Sequence, residues 1–104
     1  HNIDIDTYLI SHPESTIMIK VSGDSMIDAG IHTGDIVIVD KGIHAKVDDI
    51  VVAEVDREFT LKYLKKDKRG HYLHAWNSKY PDFYPQEELK VFWVVTGVVR
   101  KYAK

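Results

Sequence analysis

Short β-branched runs recur along this chain, and each is broken by a turn residue before an amphipathic helix of any length could form. Ile36-Val37-Ile38-Val39 is the clearest of them, β-branched throughout and preceded by the turn signal Gly34-Asp35. Ile17-Met18-Ile19-Lys20-Val21 runs into Gly23-Asp24-Ser25. Residues 50–55 and 58–64 flank Asp56-Arg57 as a hairpin would. Residues 72–76 and the long apolar run 91–100 complete the set. This spacing predicts a mainly β domain of twisted, mostly antiparallel sheets. Its helical content should be one short N-terminal helix over residues 4–10, started by Asp4 or Asp6 and stopped before Pro13. Residues 25–31 read as a helical turn ended by Gly30, residues 65–70 as a charged loop, and residues 77–88, with Pro81 and Pro85, as irregular chain.

A chain of 104 residues predicts one domain over 1–104, large enough for a single core. At 44% hydrophobic and 29% charged residues it has the make-up of a soluble globular protein. The net charge of −2 argues against direct nucleic-acid binding as the main activity, because neutralising several phosphates takes a basic excess. Lys65, Lys66, Lys68 and Arg69 form the one basic cluster, interrupted by Asp67, and it reads as a solvated hairpin loop. The absence of cysteine removes disulfides, thiolate metal sites and cysteine nucleophiles, and it fits a reducing compartment. No long apolar run suggests membrane insertion. The start at His1, without methionine, suggests a processed or excised product.

The candidate chemistry lies in Ser25, on a tight Gly-Asp turn, and Lys62, thirty-seven residues later within an apolar strand. A serine hydroxyl is a poor nucleophile at neutral pH and needs a base. A lysine supplies one only when neutral, which near pH 7 means destabilising its ammonium by about 4 kcal/mol, and burial among apolar side chains can do that. Strand alternation sets Phe59, Leu61 and Tyr63 on one face and Thr60, Lys62 and Leu64 on the other, so both faces carry apolar neighbours. The pattern taken alone favours a lysine whose stem covers the sheet and a serine that only bonds within its turn.

The wider context separates these readings. Ser22-Gly23-Asp24-Ser25-Met26, Gly34-Asp35, Asp49-Ile50-Val51-Val52-Ala53, Phe59-Thr60-Leu61-Lys62 and Asn77-Ser78, in that order, resemble the LexA/UmuD family of self-cleaving serine–lysine proteins. The flanking Ile3-Asp4-Ile5, Leu9-Ile10, His12-Pro13 and residues 89–95 resemble its UmuD branch, and the likeness runs over residues 3–100. The resemblance implies Ser25 as nucleophile and Lys62 as general base, with Met26 and the backbone around Asp24 to Met26 in the substrate cleft; an oxyanion hole from the Ser25 N–H is chemically sensible there. No cofactor or metal is implied. It further implies a bacterial, cytoplasmic homodimer of the SOS response, whose cleavage is stimulated by a RecA filament on single-stranded DNA. After losing its N-terminal arm, such a protein joins a Y-family, UmuC-like DNA polymerase to form an error-prone translesion enzyme. The alternative within the family is the C-terminal half of a self-cleaving transcriptional repressor.

The family cuts an Ala-Gly or Cys-Gly bond upstream of the serine, and no such bond precedes Ser25 here. Ala29-Gly30 follows it and reads as a helix end. The bond that is cut, with the arm or domain before it, is therefore expected outside this chain. Other hydrolase patterns fit poorly. Gly-x-Ser-x-Gly is absent, no Asp-x-x-His occurs late in the chain, and Met26-Ile27 stands where a chymotrypsin-like enzyme needs Gly-Gly. His71 and His74 fall on opposite faces of a strand, which argues against a metal pair. Trp76, Tyr80, Phe83, Tyr84, Phe92 and Trp93 are read as core and protein interface rather than base-stacking platforms, with residues 80–85 presenting exposed aromatics at a dimer or polymerase contact.

Overall fold

The computed structural model describes residues 2–86 and 89–103; His1, Glu87, Glu88 and Lys104 lie outside it, so the irregular stretch expected over 77–88 is described as far as Gln86. Asp4 opens the short helix α1 (Ile5–Leu9): its carboxylate accepts the Asp6 and Thr7 N–H groups at 3.1 and 3.4 Å, satisfying donors that a first turn leaves free. Six strands follow among the described residues: β1 (Thr16–Lys20), β2 (Ile36–Asp40), β3 (Ile50–Val55), β4 (Glu58–Asp67), β5 (Gly70–His74) and β6 (Val91–Val99). They form one sheet in the order β1-β2-β6-β3-β4-β5, antiparallel at every junction.

The hairpin between β3 and β4 turns on Asp56 and Arg57, at φ 51° and 68°. Two consecutive left-handed residues give a turn whose twist matches that of the strands. The next connection corrects the expected loop over 65–70. Lys65, Lys66 and Asp67 continue β4 and pair with Tyr72, His71 and Gly70, so the turn shrinks to Lys68 and Arg69. Charge does not stop a strand whose neighbour supplies the ladder. Lys65 is paired to Asp48 at 2.6 Å, the Arg69 N–H donates to Asp67 Oδ1 at 2.8 Å, and the Arg69 guanidinium lies 3.6 Å from the centre of the Tyr84 ring.

Two register shifts, at Ile38/Val39 opposite β6 and at Val52/Ala53 opposite β6, add local twist and bend the sheet. Both faces are covered. Val52 packs with Met26, Ile31, Val37 and Val39, and Leu61, Tyr63 and Trp93 lie against them. On the other face Val51, Ala53, Leu64 and Leu73 form a second cluster, capped by Ala45, Phe83 and Leu89. Because Met26 and Ile31 belong to the first cluster, the long β1–β2 connection is drawn across that face, and Ser25 travels with it.

One buried carboxylate ties this connection down, and a second ties the segment before β1 to the end of β2. The Arg100 guanidinium, just past β6, donates to both oxygens of Asp35 at 2.7 and 2.8 Å and to the Gly30 carbonyl at 2.7 Å; the His32 N–H adds 2.8 Å. Asp40 accepts Ser15 Oγ at 2.7 Å, and its Oδ2 lies 2.7 Å from His12 Nδ1. Arg100 first, and the His32 N–H next, hold the Asp35 carboxyl well below its ordinary 3.8. A depressed carboxyl contributes stability in full above the unfolded value and loses it as pH falls toward the folded one. The difference in urea midpoint between wild type and D35N is therefore expected to be large at pH 7 and to narrow below about pH 4. A difference that stays constant down to pH 2 would contradict this reading of Asp35.

Candidate active site

Gly23 adopts φ +96° with nothing near the position a Cβ would take, so the turn before Ser25 needs glycine for its backbone rather than for space. Met26, 2% exposed, plugs the first core cluster directly after Ser25. The 3-10 turn Ile27–Ala29 then ends on left-handed Gly30 at φ 83°, the termination expected of it. The nucleophile candidate thus sits between a bend and a buried anchor.

Opposite, β4 brings Thr60 and Lys62 to one face. Lys62 Nζ donates to Ser25 Oγ at 3.1 Å and also to Thr60 Oγ1, while Ser25 Oγ donates to the Leu61 carbonyl at 3.3 Å. Burial holds the Lys62 ammonium below the ordinary lysine range, and no carboxylate pairs with it among the described residues. A lysine that loses its proton there becomes an acceptor. The Ser25 O–H can then turn from Leu61 to Nζ across the same short distance, the geometry general-base activation requires. The sequence set Thr60 on the same strand face as Lys62 but gave it no role; the structure makes it a partner of the Lys62 ammonium.

Beside this pair lies a groove of about 250 Å³, walled by Ile19, Val21, Met26 and Ile31 on one side and Phe59 and Leu61 on the other, with Val52 and Trp93 below. It is mainly apolar with Ser25 in its lining, a shape suited to the side chains of an extended peptide. Met26 lines it. Asp24 does not: its carboxylate faces Tyr80 and Lys79 in the loop after β5.

The aromatic segment expected at an interface is placed differently. Phe83 exchanges backbone hydrogen bonds with Leu73 at 2.9 and 3.0 Å and caps the second cluster. Tyr84 stacks on Tyr72 at 4.7 Å and donates to Asp67 Oδ2 at 2.6 Å. Both rings are half-buried rather than fully presented, and Tyr80 is the exposed ring of the segment at 40%. His74 Nδ1 lies 2.6 Å from Asp82, and no three His, Asp or Glu side chains gather as a metal site among the described residues. None of the described helices is long and apolar enough to cross a membrane.

The serine hydroxyl thus lies against a half-buried lysine beside a mainly apolar groove on an antiparallel sheet. The chain belongs to the Peptidase S24-like family, whose model matches residues 1–99. Protein SamA of Salmonella typhimurium strain LT2 is 42% identical over 99 residues, covering 95% of this chain and 69% of its own length. Protein ImpA of Escherichia coli is 38% identical over 102 residues, covering 95% of this chain and 68% of its own. The LexA repressor of Alcanivorax borkumensis is 41% identical over 86 residues, covering 82% and 42% respectively.

Proposed function

We propose that this chain is a UmuD-like self-cleaving serine endopeptidase in which Ser25 is the nucleophile and Lys62 the general base. The contact of Lys62 Nζ with Ser25 Oγ at 3.1 Å, made by a half-buried lysine with no paired carboxylate among the described residues, carries the reading. Ser25 Oγ attacks the carbonyl carbon of the scissile peptide as neutral Lys62 takes the hydroxyl proton. The C–N bond breaks, Lys62 returns that proton to the leaving amine, and an ester remains on Ser25. Water, deprotonated by Lys62, hydrolyses the ester and restores both side chains. The Ser25 N–H donates to no acceptor among the described residues and is free to bind the oxyanion. The apolar groove takes side chains beside the cut bond.

The rate follows the neutral fraction of Lys62. With its proton affinity lowered by burial, cleavage is expected to rise up to about tenfold per pH unit through neutral pH and to level off before ordinary lysines titrate. A rate flat from pH 6 to pH 10 would contradict a lysine base.

The lasting role we propose is that of a homodimeric accessory subunit of a Y-family translesion polymerase in the SOS response of a bacterial cytoplasm, formed after RecA-filament-stimulated loss of an N-terminal arm. The UmuD-like flanks support it, as does the fuller overlap with SamA and ImpA than with the LexA repressor. The full-length product incubated with RecA, ATP and single-stranded DNA should release a short arm, and the remainder should co-purify with a UmuC-like polymerase. Release of a piece large enough to fold would instead favour the repressor alternative.

A further inference from the structure

The turn that carries Ser25 has little structure of its own. Its one internal backbone bond, Ile27 N–H to the Asp24 carbonyl, is long at 3.2 Å, and Gly23 lends it freedom. It is instead fastened from outside: Thr33 Oγ1 donates to the Gly23 carbonyl at 2.7 Å, and most of the contacts around Asp24 come from one short stretch leaving β5. Asn77 Nδ2 donates to the Asp24 carbonyl at 2.9 Å. Tyr80 Oη donates to Asp24 Oδ1 at 2.6 Å, Lys79 Nζ pairs with Oδ2 at 2.8 Å, and the Asp28 N–H donates to the Trp76 carbonyl at 2.8 Å. The stretch is braced in turn: Asn77 accepts the Tyr80 N–H at 3.0 Å and the Lys79 N–H at 3.2 Å, and the Leu73–Phe83 backbone pair closes the loop behind it.

Two features make this more than a structural tie. The contacts converge on Asp24, whose peptide bond leads into Ser25, so they fix both the hydroxyl and the Ser25 N–H. They also occupy both oxygens of the acid next to the nucleophile. Lys79, then Tyr80, hold Asp24 in its carboxylate form, so the fastening persists over the pH range in which Lys62 is neutral.

Given Ser25 as the nucleophile, we propose that Asn77 and Tyr80 are positioning residues of the cleavage reaction, holding the Asp24–Ser25 peptide in the orientation from which Ser25 attacks. Neither touches the reacting atoms. Misplacement of a reacting group by about 1 Å can cost about 10²-fold in rate, and losing one of several fastenings should cost somewhat less.

The test is the self-cleavage rate of the full-length protein, with kcat and KM for cutting full-length S25A protein in trans, in N77A, Y80F, D24A, D24N and D24A/Y80F. Y80F and N77A are expected to lower kcat about tenfold with KM unchanged. Y80F should add little in the D24A background, because the two changes remove the same contact. D24N, which keeps an oxygen for Tyr80, should cleave faster than D24A. Y80F removes one hydroxyl and keeps the ring, so it remains informative even if N77A does not fold. Wild-type rates in Y80F and folded N77A, or additive losses in D24A/Y80F, would overturn the positioning role while S25A remained inactive and K62A remained slow. Cleavage by S25A would overturn the nucleophile assignment itself, and the positioning role with it.

Discussion

K62A is expected to slow cleavage by about 10²–10⁴-fold, and S25A to abolish it, with the folded state intact in both. The two losses have different origins. S25A removes the atom that forms the ester, so no intermediate can form. K62A keeps that atom but leaves the hydroxyl proton nowhere to go except water, and it removes the acid that protonates the leaving amine. Lys62→Arg should be no better than alanine, because a guanidinium stays charged throughout the working range and cannot accept a proton. The fold should tolerate all three changes: Lys62 loses a desolvated charge, and Ser25 loses bonds to Lys62 and the Leu61 carbonyl at the rim of an open groove. The check is the cleavage time course by intact mass alongside circular dichroism of each variant. Cleavage by K62A at the wild-type rate and pH profile would assign the base elsewhere.

The second large effect concerns the fold. Leu73→Ala is expected to cost about 3 kcal/mol, read as a lower urea midpoint at unchanged slope. Leu73 is fully buried at the centre of the second cluster, against Val51, Ala53 and Leu64, and β5 is held there as an edge strand. Alanine removes three carbons and leaves a cavity that a sheet paired on the β4 side cannot readily close. The Leu73 backbone also carries the two hydrogen bonds to Phe83 that close the loop gripping Asp24. Even under conditions where L73A is fully folded, its cleavage rate should therefore fall. A loss below about 1 kcal/mol would mean that the second cluster contributes little, and that the fold rests on the Val37, Val39 and Val52 side.

How much of this was legible in the sequence depended on how local the determining physics is. The strand at residues 36–40 follows from four consecutive β-branched residues after Gly-Asp, and the α1 cap from one aspartate. The β3–β4 turn was legible as a break between two apolar runs, though Asp56 and Arg57 are not the glycines that positive φ prefers. The strand through Lys65, Lys66 and Asp67 was not legible. Its charges are accommodated by Asp48 and by the ladder with β5, which no local pattern announces. Phe83 and Tyr84 misled for the same reason: aromatics between prolines look exposed until Leu73 and Tyr72 are known to lie beneath them. The meeting of Ser25 with Lys62 depends on a connection drawn across the sheet by Met26 and Ile31, and a spacing of thirty-seven residues encodes nothing of that. The family resemblance brought the two residues together where periodicity could not. It also included Asn77 among its motifs without indicating that its amide reaches the Asp24 carbonyl.

The proposed chemistry stands on Lys62 losing its proton more readily than other lysines, and its ionisation can be followed directly. A pH titration of the side-chain Cε and Nζ resonances of Lys62 in isotopically labelled protein, with Lys20 and Lys41 as exposed internal references, measures it without any need for a substrate. The mechanism predicts a midpoint clearly below those references, and one that stays low in S25A, since burial rather than the serine lowers it. A Lys62 midpoint coincident with the exposed lysines would contradict the assignment of Lys62 as the base.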